Sequence, residues 1–286
     1  MRQVLFEVPG LGVKVFGFGA MLVLSLFAAT HVALRRSKRE GLEPDMFYDL
    51  TFCVVIGGVI GARLLYIAQH REAVRQFWDI FKIWQGGIVF YGSAIGGVVG
   101  FFIYWLWRRF PLRPGLDVLA VAVAIGMGVG RLGCFFNGCC YGDLCDLPWA
   151  VRFPAHTLPW ADHVQSGLIS SAEPWSLPVH PTQLYAALDG FILFGLLNAY
   201  YPIRRRDGEV MALLMVTYPI TRFLVERLRN DEGMFFAGMT ISQNLSIVAF
   251  VLGLCFWWWL SRQPVGRYAD SAEASLLVGA GDTKAR

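Results

Sequence analysis

Seven apolar stretches, each long enough to cross a lipid bilayer, constrain the fold of this chain more than any other feature. A helix needs about 20 mainly apolar residues to cross the hydrocarbon core. The composition agrees, because 56% of the 286 residues are hydrophobic and only 16% are charged. We therefore predict an all-α fold, a polytopic membrane helix bundle with spans near 15–34, 47–68, 87–107, 115–136, 181–201, 209–227 and 239–261.

The distribution of Lys and Arg between the loops predicts the orientation of these spans. Basic residues concentrate in the loops after the first, third, fifth and seventh spans, and cytoplasmic loops carry such an excess. The N-terminus is then periplasmic and the C-terminus cytoplasmic. We expect one integral-membrane catalytic domain over 1–267, with a proline-containing periplasmic loop at about 138–180. Residues 268–286 have the composition of a disordered cytoplasmic tail.

Two arginines lie inside segments that are otherwise fit for the bilayer. Arg131 is in the run GRLGCFFNGCCYG at the end of the fourth span, and Arg222 is in the sixth span, four residues before Glu226. Tyr218, Arg222, Glu226 and Arg229 share one helix face at this spacing. An arginine at membrane depth is costly unless it is paired or hydrated, which makes it a candidate functional residue. Together, Arg131 and Arg222 could hold a phosphate, because the guanidinium fork matches phosphate oxygens.

Two further polar positions each have two interpretations. Arg63, which follows GGVIGA, is either part of a structural ion pair between helices or a functional cation. His180 begins the run HPTQLY at the start of the fifth span, with Gln183 and Tyr185 beyond it. A histidine at this position is either a polar anchor at the interface or part of the site.

Four cysteines lie close together in the sequence, at Cys134, Cys139, Cys140 and Cys145. A zinc site needs four ligands, yet the spacing lacks a CxxC pair. In an oxidising compartment one or two disulfides are plausible. We rank disulfides or plain packing above a metal site, and a metal site above a catalytic thiol. No cofactor or metal is expected, and the sequence has no nucleic-acid-binding motif.

These segments resemble the motifs of the prolipoprotein diacylglyceryl transferases of bacterial inner membranes. The matching runs are GRLGCFFNGCCYG, HPTQLY, GGIVFYG, GGVIGARLLYI and YPITRFLVERLR. The resemblance implies a multi-pass inner-membrane enzyme that moves the diacylglyceryl group of phosphatidylglycerol to the lipobox cysteine of a prolipoprotein. The product would be a thioether, with glycerol phosphate released. The implied partners are phosphatidylglycerol, the prolipoprotein signal peptide and the lipid bilayer.

The resemblance also assigns roles to individual residues. Arg131 and Arg222 match the two arginines regarded as essential in the family, and we expect Glu226 to orient Arg222. The expected catalytic residues are Arg131, Arg222, Tyr91, Glu226 and His180. The expected substrate-binding residues are Arg131, Asn137, Gln183, Tyr185, Tyr218, Arg63 and Gln243.

Several positions depart from the family pattern. Tyr91 replaces a common histidine, Cys134 and Cys139 replace asparagine and glutamate, Phe16 replaces a tyrosine, and Ala186 replaces a glutamate. A tyrosine is a poor base but a competent hydrogen-bond donor, so we expect Tyr91 to orient the substrate. The general base is not identified. The alternatives are a divergent, non-catalytic lipid-binding protein of the same fold and a membrane thiol oxidoreductase that uses the cysteines between Cys134 and Cys145.

Overall fold

The computed structural model describes residues 4–7, 14–70, 72, 87, 89–229 and 233–271. Helices dominate this part of the chain, as predicted, and a short antiparallel hairpin of β1 (Val4–Glu7) and β2 (Lys14–Phe16) precedes them. The helices are α1 (Gly17–Arg39), α2 (Asp45–Gln69), α3 (Phe90–Arg108), α4 (Leu112–Asn137), α5 (Leu158–Gln165), α6 (Thr182–Tyr200), α7 (Glu209–Glu226) and α8 (Ile241–Ser261), with a 3-10 turn at Tyr201–Ile203.

All helices except the short α5 lie at the positions of the predicted spans. Within the described residues, α1, α2, α4, α8 and the segment Thr182–Ile203 are long and apolar enough to cross a membrane. Helix α7 differs from these because it carries charged residues at Glu209, Arg222 and Glu226. The chain is therefore a multi-pass helical membrane protein. The number of spans and the orientation of the termini stay predictions.

The described residues form two compact units. One unit, residues 33–115, contains the end of α1 together with α2 and α3. Helices α2 and α3 approach each other closely through glycines: a methyl group at Gly61 would overlap the carbonyl oxygen of Gly92, and one at Gly96 would overlap that of Gly57. Small residues at such contacts let membrane helices pack closely.

The other unit contains the described residues up to 32 and from 116 to 271. Its core is a cluster of buried apolar side chains from α4, α6 and α7, among them Val121, Leu197 and Val210. Asp117 of α4 is fully buried and accepts backbone N–H bonds from Gly208, Val210 and Met211 at 2.8–3.0 Å. A carboxylate at the N-terminus of a helix accepts hydrogen bonds from the free backbone N–H groups there and interacts favourably with the helix dipole. Asp117 of α4 therefore fixes the start of α7.

The segment between α4 and α6 folds into a packed loop rather than a long helix, as its prolines predict. It contains the eight-residue helix α5 and an isolated bridge between Val151 and Val179. Its two ends meet, because Gly142 N–H donates to the His180 carbonyl at 3.0 Å and His180 N–H donates to the Asp143 carbonyl at 2.9 Å. This pairing brings the end of α4 next to the start of α6.

Part of the predicted tail is described. Residues 268–271 form a helical turn, and the Tyr268 N–H donates to the Asp207 carboxylate at 2.6 Å. The rest of the tail, 272–286, lies outside the described residues. The proposed disorder there stays a prediction.

Candidate functional site

Glu226, at the end of α7, is the centre of a buried group of charges. Its carboxylate contacts two guanidinium groups, that of Arg222 and that of Arg229, the latter at 3.3 Å. Its other oxygen accepts a hydrogen bond from the Thr240 hydroxyl at 3.3 Å. Offsets of four and three residues place these arginines on the same face as Glu226.

Arg131 of α4 adds a third guanidinium to this group. It is partly buried, and its electrostatic neighbours include Tyr218 of α7, the Cys134 and Cys140 side chains, and Arg229, which repels it. In the part of the chain that the structure describes, Arg131 forms no ion pair with a carboxylate. A buried guanidinium that faces no carboxylate is costly without a counter-ion, so Arg131 favours an anionic ligand.

Arg222 is held in place from two helices. One guanidinium nitrogen contacts Glu226, and the other donates to the Ser242 hydroxyl of α8 at 3.0 Å. The start of α8 is fixed by a capping box, in which the Gln243 side-chain oxygen accepts from the Thr240 N–H at 3.1 Å. Gln243, expected to bind substrate, therefore makes a structural contact: it positions Thr240, which in turn contacts Glu226.

A tight turn after α4 carries the cysteines toward α6. The backbone has positive φ at Gly138 (74°) and Cys140 (58°). Thr182 donates to the Cys140 carbonyl at 2.6 Å, and Gln183 Nε2 donates to the Cys139 carbonyl at 2.8 Å. The Gln183 side chain is fully buried, and its Oε1 has no hydrogen-bond partner among the described residues. A buried acceptor without a donor costs about 1–3 kcal/mol, so Oε1 is suited to a donor on a ligand.

The turn brings together three sulfur atoms. Those of Cys134, Cys139 and Cys140 lie within 4.8 Å of one another. Hydrogen bonds from the Cys134 and Cys140 thiols, with one from Asn137, lower the pKa of Cys139. All six cysteines of the chain are free, so the disulfide alternative is not realised in this structure.

Cys145 does not belong to this group, contrary to the clustering expected from the sequence. It is buried in the loop, where its sulfur accepts the Leu147 N–H at 3.5 Å. The sequence separation is short, but the turn at Gly138–Cys140 directs the chain away after Cys140. The cluster therefore contains three cysteines.

His180 lies in a polar and aromatic contact at the start of α6. Its Nδ1 is 3.3 Å from the Tyr185 hydroxyl, which also accepts from Trp149 Nε1 at 2.7 Å. Within the described residues, no hydrogen bond or ion pair joins His180 to the arginines. Its main-chain bonds to Gly142 and Asp143 show that it also anchors the loop.

Tyr91 and Arg63 belong to the other unit, which contains α2 and α3. Arg63 Nη1 donates to the Gly87 carbonyl at 3.0 Å, and its guanidinium lies 5.3 Å from the centre of the Tyr66 ring. This contact supports a structural role for Arg63. Tyr91 lies in the first turn of α3 and is partly buried. Their roles in catalysis and substrate binding stay predictions.

Arg229, which the spacing places on the same helix face as Glu226, joins the site as that pattern indicates. Three residues of the site were not among those expected from the sequence: Thr240, Ser242 and Thr182. Thr240 had a visible signal, because with Gln243 it fits the spacing of a capping box. Ser242 and Thr182 gave no signal, because their contacts join segments that are distant in sequence.

Comparison with known proteins decides the family. The family model described as prolipoprotein diacylglyceryl transferase matches residues 3–259. The chain belongs to the prolipoprotein diacylglyceryl transferase family. This confirms the resemblance carried by the motifs and identifies the chain as a transferase.

Relatives in several bacteria are named phosphatidylglycerol-prolipoprotein diacylglyceryl transferase. The one from Clostridium tetani (strain Massachusetts / E88) is 33% identical over 254 residues, which cover 89% of this chain and 96% of the relative. That of Thermotoga maritima is 30% identical over 88% of this chain and 83% of its own length. That of Legionella pneumophila (strain Lens) is 32% identical over 86% of this chain and 92% of its own length. The similarity to this transferase family thus extends over most of the chain.

Proposed function

We propose that this protein transfers the diacylglyceryl group of phosphatidylglycerol to the lipobox cysteine thiol of a prolipoprotein. The cysteine S–H bond breaks and its proton passes to solvent, while a bond forms between the cysteine sulfur and a glyceryl carbon. The bond between that carbon and the phosphate oxygen breaks, and glycerol phosphate leaves with the electron pair. The observation that carries this proposal is the partly buried guanidinium of Arg131, which has no carboxylate partner among the described residues and lies beside Tyr218 of α7, the helix that also carries Arg222.

The arginines suit the departing phosphate. Negative charge grows on the phosphate oxygen as the carbon–oxygen bond breaks, and fixed donors aimed at that charge lower the barrier. Arg131 and Arg222 would bind the phosphate oxygens. Glu226 holds Arg222 and Arg229 in position, and Ser242 fixes the second nitrogen of Arg222.

The polar head of phosphatidylglycerol has hydroxyl groups that match the site. The unpartnered Oε1 of Gln183 would accept a hydrogen bond from one of them. Asn137, Tyr185 and Tyr218 lie on the segments that surround the arginines and would complete the binding site with His180. The roles of Tyr91 in orienting the substrate and of Arg63 in binding it rest on their positions in the family's motifs.

The proposed location is the bacterial inner membrane, with seven spans formed by α1–α4 and α6–α8. The N-terminus would be periplasmic and the C-terminus cytoplasmic, as the distribution of basic residues indicates. The loop at 138–180 would then be periplasmic. The arginines and the cysteine turn lie at the ends of α4 and α7 that join this loop, which would place the site at the periplasmic side.

A peptide assay tests the proposal. The purified protein is incubated with phosphatidylglycerol vesicles and a lipobox peptide, and the peptide mass is measured. We expect a diacylglyceryl adduct on the cysteine peptide and none on a matched peptide with serine at that position. Lipid binding without any adduct would contradict the proposal and favour a non-catalytic protein of the same fold.

A further inference from the structure

The three sulfur atoms of Cys134, Cys139 and Cys140 form a cluster that the arginines do not explain. Zinc binds cysteine sulfur at about 2.3 Å in tetrahedral geometry, which places two sulfur ligands about 3.8 Å apart. The three sulfurs here lie within 4.8 Å of one another. Side-chain adjustments of about 1 Å or less would therefore bring them to the spacing of metal ligands.

The backbone around the cluster is held by polar contacts from α6. Thr182 and Gln183 fix the carbonyls of Cys140 and Cys139, and the Cys139 N–H donates to the Cys134 carbonyl at 3.2 Å. Cys140 adopts a positive φ, a conformation that is uncommon for residues other than glycine and that needs support from its surroundings. These contacts hold all three sulfurs on one side of the turn, which is the arrangement that a metal site requires.

One guanidinium group lies beside the cluster. Arg131 is an electrostatic neighbour of both Cys134 and Cys140. Three thiolates with a divalent cation carry one net negative charge, which the guanidinium of Arg131 can balance. Sulfur ligands select soft cations such as Zn²⁺ over Mg²⁺ or Ca²⁺.

We propose that Cys134, Cys139 and Cys140 bind one thiophilic divalent cation, such as Zn²⁺, and leave its fourth position open for an external thiol. Zinc sites with three protein ligands and one open position are typical of catalysis. On binding, each cysteine thiol loses its proton to solvent, and the incoming thiol loses a fourth. The identity of that thiol as the lipobox cysteine rests on the proposed function. A metal-bound thiolate would supply the nucleophile in a chain for which no general base has been identified.

Metal binding is tested on the full-length protein in detergent, reduced with a phosphine and stripped with a chelator. Titration with Co²⁺, a spectroscopic substitute for Zn²⁺, is followed through the sulfur-to-metal absorption band. We expect one Co²⁺ per chain for the wild type and for Cys255→Ser, which changes an exposed cysteine of α8. Cys139→Ser and Cys134→Asn should bind Co²⁺ at least about 10-fold more weakly.

Cys134→Asn keeps the test decisive if a serine variant misfolds, because asparagine is the residue that the family commonly has at this position. Circular dichroism and gel filtration verify folding of every variant. Less than one Co²⁺ per wild-type chain, or unchanged affinity in both cluster variants, overturns the proposal.

The open position is tested separately by adding a lipobox peptide to the Co²⁺-loaded protein without lipid. The cysteine peptide should change the absorption spectrum, and the matched serine peptide should not. An unchanged spectrum with the cysteine peptide overturns the open-position part of the inference. Because this measurement needs no turnover, it separates failure of the metal site from failure of the proposed transferase reaction.

Discussion

Replacing Glu226 with glutamine tests whether this carboxylate organises the arginines. Glu226→Gln keeps the size and hydrogen-bonding capacity of the side chain but removes the charge that faces Arg222 and Arg229. For unit charges at the 3.3 Å distance between Arg229 and Glu226, the Coulomb attraction is about 5 kcal/mol at an effective dielectric constant of about 20. Desolvation of both groups opposes this attraction, so the pair contributes less than that figure to stability.

The expected loss in the free energy of unfolding is about 3–5 kcal/mol, the range for breaking a buried pair by removing one partner. The guanidiniums of Arg222 and Arg229 would stay buried with no carboxylate at Glu226 to balance them. Denaturation in mixed detergent micelles measures the loss. Since Arg222 is no longer held by a charge, the rate of adduct formation should also fall in molecules that are still folded.

The matched control is Glu43→Gln. Glu43 pairs with Arg108 at 3.1 Å, but both side chains are well exposed, and such pairs contribute about 0–1 kcal/mol. If Glu226→Gln lost no more stability than Glu43→Gln, Glu226 would not be the organising charge of the site and the reasoning would be refuted.

Three further predictions concern other parts of the chain. Gln183→Met should raise the KM for phosphatidylglycerol about 5- to 10-fold through loss of the unpartnered oxygen, whereas an unchanged KM in lipid titrations would exclude this contact. Burial lowers the pKa of His163 in the folded loop, so the unfolded chain takes up a proton at a higher pH than the folded chain does. The stability of the loop should therefore fall as the pH drops below about 6.5, as measured by limited proteolysis, and His163→Asn should lack this dependence. Gly96→Val should separate α2 from α3 and lower the thermal midpoint, whereas Gly195→Val, at an open position on α6, should not.

The positions of the helices follow from the sequence because hydropathy is a local property. The predicted span 115–136 corresponds to α4, and 239–261 corresponds to α8. The shared face of Tyr218, Arg222 and Glu226 is also local, since it depends only on spacing within one helix. The contact between Arg222 and Glu226 was predictable for this reason.

The contacts between distant segments were not predictable from a single sequence. Asp117 accepts hydrogen bonds from residues more than 90 positions away, and Thr182 contacts Cys140 across 42 positions. The separation of Cys145 from the other cysteines depends on a turn whose positive φ values have no clear signature at Cys140. Such features are set by tertiary packing, which hydropathy and spacing do not encode.

The central claim is that Arg131 and Arg222 hold the phosphate of the lipid. Its most direct test is the rate of diacylglyceryl adduct formation on a lipobox peptide by Arg131→Ala and Arg222→Ala, with Arg262→Ala at the exposed end of α8 as the control. We predict that each site variant, verified to be folded and inserted, is at least about 100-fold slower than the wild type, the scale of losing a donor to a developing anion. Arg262→Ala should react at the wild-type rate. Wild-type turnover by either Arg131→Ala or Arg222→Ala would contradict the account.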